Sequence, residues 1–158
     1  MRRNRRIRTK ASAVIGGAVA LSLLAAVPAL ASPAGPRSAT QRVAGPCALV
    51  REDGESIQDF SARLIQCAAD RWPVPGGAEK AICIAQRESG LVPTATSSSG
   101  EYVGLFQHLA SAWPDRFTEW TRPVWALKDN PFNGRSNSIV TIRMVNTDGW
   151  GPWSGVGC

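Results

Sequence analysis

Four cysteines, Cys47, Cys67, Cys83 and Cys158, lie downstream of an N-terminus built like an export signal, and this combination constrains the fold more than any other feature. An even cysteine count in an exported chain implies disulfides, which staple small domains whose cores are modest. Sequence alone leaves all three connectivities open. Zinc is the competing use of such residues. There is no Cys-x-x-Cys pair and His108 is the only histidine, so no metal is expected.

Residues 1–10 (MRRNRRIRTK) are strongly basic, residues 11–30 are apolar, and Ala29-Leu30-Ala31 closes them with a small-x-small cleavage pattern. Residues 1–31 therefore read as a secretory signal peptide cut after Ala31. An uncleaved membrane anchor is the alternative, because about 20 apolar residues can span a bilayer. Gly16, Gly17 and Pro28 weigh against it, so no stable membrane insertion is expected after processing. Residues 32–46 are rich in Pro, Ala, Gly and Ser without a hydrophobic period and read as a disordered spacer. Removing the leader takes away six basic residues and leaves twelve Lys and Arg facing twelve Asp and Glu. The formal charge of +6 thus belongs to the leader and gives no argument for nucleic-acid binding. The remaining 127 residues suffice for one core, assigned to residues 47–158, acting as a monomer.

Periodicity predicts helices. Ser56-Ile57-Gln58-Asp59 resembles a capping box, and Ile57, Phe60, Leu64, Ile65 and Ala68 form the apolar stripe of a first helix that ends at Trp72-Pro73. A second helix is expected from Ala78 to Ser89, closed by Gly90. Small hydroxyl residues and two glycines in residues 94–107 indicate a short hairpin or loop. Residues 108–117 suggest a helix interrupted by Pro114, residues 118–130 read as irregular, and a last helix is expected over 132–146. The fold class is α+β, mainly α.

Glu88 is the residue that carries chemistry. At about 100° per residue it falls beside Ala81, Ile84 and Ala85 on the apolar face of the second helix. Partial burial and the negative end of the helix dipole both disfavour its ionised form. A carboxyl that keeps its proton near neutral pH is what a general acid requires. The bland alternatives are an exposed helix-end Glu and a carboxylate paired with an arginine.

The letters around it add a resemblance. Glu88-Ser89-Gly90, Pro93, Ala95-Thr96-Ser97, Gly100 and Gly104-Leu105-Phe106-Gln107 follow the order seen in the lytic transglycosylase and goose-type lysozyme group. Asp129-Asn130-Pro131 through Asn133, then a helix and Gly149-Trp150-Gly151-Pro152-Trp153, is similar to the tail of its small secreted bacterial members. The resemblance covers about 80 residues, from Ala78 to Cys158. The segment Gly100-Glu101-Tyr102-Val103-Gly104-Leu105 departs from the usual pattern by one extra residue.

The resemblance implies a lysozyme-like domain with a small β-hairpin and a cleft. It implies cofactor-free cleavage of the β-1,4 bond between N-acetylmuramic acid and N-acetylglucosamine in peptidoglycan glycan strands, outside the cell and against its wall. Glu88 would be the general acid and base, and Ser97, Tyr102 and Gln107 would bind the sugar. Glu101 would be the carboxylate nearest Glu88, serving as a second group if it reached the sugar, although a solvated acid at a loop tip is the plainer reading. Small relatives that keep one cysteine near the acid and one at the C-terminus favour Cys83–Cys158, leaving Cys47–Cys67. A Cys67–Cys83 bridge between helices is the geometric alternative.

The six tryptophans divide between sugar faces and core: Trp150 and Trp153 are assigned to packing, while Trp113 and Trp125 stay open. His108 is read as a hydrogen-bonded structural group. The rival functional reading is a non-catalytic glycan-binding or signalling module on the same scaffold, against which the retained Glu88 argues. A third is a small secreted interaction protein.

Overall fold

In the computed structural model, which describes residues 45–158, helix α1 (Ile57–Arg71) begins where its capping residues require. Ser56 Oγ accepts the Asp59 N–H at 3.0 Å and donates to the Asp59 carboxylate at 2.7 Å, so a donor left open by the helix start is satisfied. Trp72 is extended, as suits the residue before a proline, and the helix stops there. Helix α2 (Gly77–Ser89) follows a four-residue turn and ends at Gly90, whose φ of 63° is the left-handed conformation expected of a closing glycine. The expected signal peptide and nearly all of the expected spacer lie outside the described residues.

Two short strands make the β element. β1 (Tyr102–Val103) pairs antiparallel with β2 (His108–Leu109), Tyr102 opposite Leu109 and Val103 opposite His108. Thr96 bridges to Val103 from the other side. Gly104 begins the connection at φ +83°, and a Cβ there would collide with the Asn137 amide and the Pro131 carbonyl. Only glycine meets both demands.

The next stretch differs from the sequence expectation. His108 and Leu109 belong to β2, residues Ala110–Ala112 form a 3-10 turn, and helix α3 spans Trp113–Trp120. Pro114 opens this helix rather than interrupting it, because a first-turn N–H has no intrahelical acceptor and the proline ring presets φ. The helix therefore runs into the segment expected to be irregular, of which Pro123–Trp125 is again a 3-10 turn.

Helix α4 (Gly134–Asp148) is displaced two residues from its expected span. Asn133 sets the start by accepting the Ser136 N–H at 3.0 Å. Ile139, Val140, Ile142 and Val145 are buried, and so are Asn137, Ser138 and Thr141, so α4 is enclosed on most sides. α1 and α3 pack on α4, and α2 packs on α1. The core gathers Ile65, Ala68, Ile84, Phe106, Ile139 and Ile142. The architecture is mainly helical, four α-helices with one small antiparallel sheet and two disulfides.

The bridges are Cys47–Cys67 and Cys83–Cys158, with Cα–Cα distances of 5.7 and 6.1 Å. The first ties the start of the described chain to α1, and the second ties the tail to α2. Trp150 is buried, and its indole N–H donates to Pro75 O at 2.7 Å. Trp72, Trp120 and Trp125 surround the Arg143 guanidinium, with ring centroids 5.7, 6.0 and 5.0 Å from its central carbon. Trp125 therefore takes a structural place. No helix among the described residues is long and apolar enough to cross a membrane.

The two bridges close loops of 20 and 75 residues, so chain entropy assigns them unequal weights. Replacing both cysteines of Cys47–Cys67 by serine is expected to cost about 3 kcal/mol, and the same change at Cys83–Cys158 about 4 kcal/mol. Guanidinium unfolding of the two variants checks the order.

Candidate active site

Ala81, Ile84 and Ala85 of α2 are fully buried, and Glu88 lies on the same face in the last turn, where the core gives way to a pocket. The side chain is half-buried. The pocket measures about 390 Å³, the lower range of small-ligand sites. It brings together all four residues singled out from the sequence as acid and sugar contacts: Glu88, Ser97, Tyr102 and Gln107. Leu109, Arg116, Pro152 and Trp153 complete its lining.

The sugar-contact candidates are held in different ways. Ser97 pairs with Tyr102 through its backbone N–H, 2.9 Å from Tyr102 O, and its hydroxyl accepts the Tyr102 N–H at 3.1 Å. Tyr102 is 46% exposed, which leaves its ring open to a ligand. Gln107 has a left-handed backbone, φ 48°, and its side-chain amide donates to Gly104 O at 3.0 Å and Ala95 O at 3.3 Å. Both amide hydrogens are thereby used, and the amide oxygen remains for a ligand.

The structure does not bring Glu101 into this pocket. Glu101 is exposed, its N–H donates to Ser99 Oγ at 3.3 Å, and its carbonyl accepts the Ala110 N–H at 2.8 Å. Glu88 is the one carboxylate in the lining. Burial alone pushes its pKa above the ordinary carboxylate value of 4.5, with no charged neighbour contributing.

His108 is buried against the edges of Trp113 and Trp153, ring centroids 5.4 and 5.6 Å away. Its Nδ1 lies 2.8 Å from Arg116 Nη1. A guanidinium can only donate, so Nδ1 is the unprotonated nitrogen and Nε2–H donates to Thr141 Oγ1 at 2.7 Å. Thr141 passes the chain to Asn137 O at 2.8 Å. Burial, and then the Arg116 charge, bring the His108 pKa from 6.5 down to about 3. The histidine is a structural group, as its sequence setting suggested. Trp113 is buried, with its indole N–H on Asp129 at 2.9 Å, so it too serves packing.

Sequence reasoning missed Arg116 and Leu109 and gave Trp153 to packing alone; Trp153 packs in the core and also faces the pocket. Reading Pro114 as a helix opener would have set Arg116 one turn from Trp113, on the inward side of α3. It also missed the residues that position the turn after β1. Ser89 Oγ lies 2.8 Å from Leu105 O and 3.0 Å from Ala85 O, and Asn137 Oδ1 accepts the Phe106 N–H at 3.2 Å.

A second depression, of about 300 Å³, lies between α1 and the start of α4 and is lined by Phe60, Leu64, Phe132 and other mainly apolar groups, with no carboxylate. The carboxyl singled out from the sequence, Glu88, therefore lies in the other pocket and not in this one. Among the described residues no group of three or more His, Cys, Asp or Glu could hold a metal ion. Comparison with protein-family models, with curated proteins and with solved structures gives no match.

Two pH effects of opposite sign follow. A raised Glu88 pKa means the folded state holds this proton more tightly than the unfolded chain, so its contribution is complete at low pH and is lost as pH rises through the folded pKa. Glu88→Gln is thus expected to be at least as stable as the parent at pH near 7, the difference vanishing in acid; thermal melts across pH check it. His108 acts in reverse: its depressed pKa makes stability fall as pH drops from 6.5 toward about 3. Native protein is expected to remain neutral at this ring throughout that window, measured by the histidine NMR signals.

Proposed function

We propose that this protein is a secreted enzyme of the lysozyme-like superfamily that cleaves the glycan strands of peptidoglycan, most closely as lytic transglycosylases do. The observation that carries the reading is Glu88. A carboxyl with a raised pKa shares one pocket with Ser97 and Gln107, which the ordered motif picks out, and with Tyr102, which stands where small secreted members often have an aromatic. The helical architecture, with an acid ending a helix beside a small β element, agrees with such a scaffold. Two disulfides agree with an extracellular site of action.

In this reading the Glu88 proton passes to the oxygen of the β-1,4 bond as that bond breaks, and positive charge spreads over the sugar ring. The Glu88 carboxylate then takes the proton of the same sugar's 6-hydroxyl, whose oxygen closes a 1,6-anhydro ring. Glu88 ends protonated, ready for another turnover, and no water is consumed. Hydrolysis would normally use a second carboxylate to serve as nucleophile or to activate water. With Glu88 the one acid in the lining, a nucleophile supplied by the substrate suits this pocket better.

The test is to incubate oxidised protein with peptidoglycan and weigh the products by mass spectrometry. Anhydro ends, lighter by one water, are expected. Reducing ends would assign hydrolysis instead, and intact strands would overturn the enzymatic reading. Glu88→Gln is expected to lower the rate by roughly 10²–10⁴ while leaving the fold intact.

A further inference from the structure

We infer that Arg116 is the specificity-determining cation of the Glu88 pocket and that the glycan bound there presents a carboxylate to it. This rests on the functional reading above and names the kind of substrate that site selects.

Arg116 stands on α3, half-buried, in the lining of the same pocket as Glu88. The ion pairs among the described residues join Arg63 to Glu52 and Glu55, and among those residues Arg116 has no carboxylate partner. A permanently charged group withdrawn from water without a counter-charge is costly, and a ligand that brings the counter-charge recovers that cost. Glu88 does not play this part, because no ion pair links the two groups, and burial raises the Glu88 pKa above its ordinary value. The pocket therefore carries net positive charge when the acid is ready to act.

The guanidinium is also oriented. One arm, Nη1, is fixed on His108 Nδ1 at 2.8 Å, and His108 is itself fixed through Thr141 to the backbone of α4. The remaining N–H groups form a planar fork that matches a carboxylate in two-point contact. Leu109, Pro152 and Trp153 give the pocket an apolar wall, which strengthens any charge-assisted bond made inside it. A neutral sugar polymer would leave this fork without a partner.

In a peptidoglycan strand the carboxylate has two sources, the lactyl ether of the sugar or the attached peptide. The experiment separates them. Oxidised protein with Glu88→Gln, which binds without turnover, is titrated calorimetrically with three ligands: chitotetraose, a peptide-free tetrasaccharide with free lactyl carboxylates, and a tetrasaccharide bearing stem peptides. One or both carboxylate ligands should bind about tenfold more tightly than chitotetraose, with the preference weakening as salt rises. Adding Arg116→Gln should remove the preference while leaving chitotetraose affinity within about twofold, and Arg116→Lys should keep part of it. Amide NMR spectra report whether each variant folds. Should Arg116→Gln unfold, methyl esters of the ligand carboxylates make the same test on the parent background and should lose the same factor. Equal affinity for chitotetraose and both acidic ligands overturns the inference and leaves the functional reading standing. If no glycan binds, both fall.

Discussion

Three side chains from distant parts of the chain take up the backbone of residues 104–107, and the pocket exists because they do. Ser89 reaches Leu105 O from the end of α2, Asn137 receives the Phe106 N–H from the first turn of α4, and the Trp153 indole donates to Phe106 O at 2.9 Å. This segment turns through two left-handed residues, Gly104 and Gln107, so its polar backbone groups cannot be satisfied by a regular helix or strand. Each buried group left open would cost about 1–3 kcal/mol. Leu105 and Phe106 meanwhile sink completely into the core, leaving the next residue, Gln107, at the rim. A side chain such as Gln107 in the left-handed region costs about 1–2 kcal/mol, which the surrounding anchors offset.

That dependence separates what the sequence makes legible from what it hides. Helix α1 was readable because Ser56, Asp59 and the apolar stripe all speak within a dozen residues of one another. Glu88 was readable for the same reason: its position against Ala81, Ile84 and Ala85 is fixed by helix geometry alone. Pro114 was misread because a proline fits the first turn of a helix as well as it breaks an interior, and only packing against α4 decides which. Arg116 and Trp153 reach the pocket from segments more than twenty residues from Glu88 along the chain, and no local period reports that meeting. Asn137 and Thr141 looked polar in a helix otherwise read by its apolar residues, and their burial follows from partners in the turn and strand on which they lie. The cysteine pairing rested on resemblance rather than on spacing.

The tryptophans illustrate how one residue type is divided between jobs. Trp72, Trp120 and Trp125 surround Arg143, whose guanidinium also donates to Trp120 O. Aromatic faces stabilise a partly buried cation there, joining α1, α3 and α4 without a carboxylate. Trp150 ties the tail to the turn between α1 and α2 through Pro75 O. Trp113 and Trp153 instead stand edge-on to His108 and exclude water from it. The Cys83–Cys158 bridge secures the tail that supplies Trp153, so the far end of the chain is fastened to the helix that carries the acid.

His108 then links burial to electrostatics. A protonated imidazole has no lone pair for Arg116 and would repel it, so the guanidinium keeps its orientation only while the ring is neutral. Enclosure by Trp113 and Trp153 makes the neutral ring the favoured state. With one arm engaged by His108, Arg116 remains unpaired with Glu88 although both line the same pocket. A salt bridge between them would pull the Glu88 pKa down and remove the proton that the proposed chemistry uses. The neutrality of one buried ring thus helps one small pocket hold, unpaired with each other, a carboxyl whose pKa burial raises and a guanidinium.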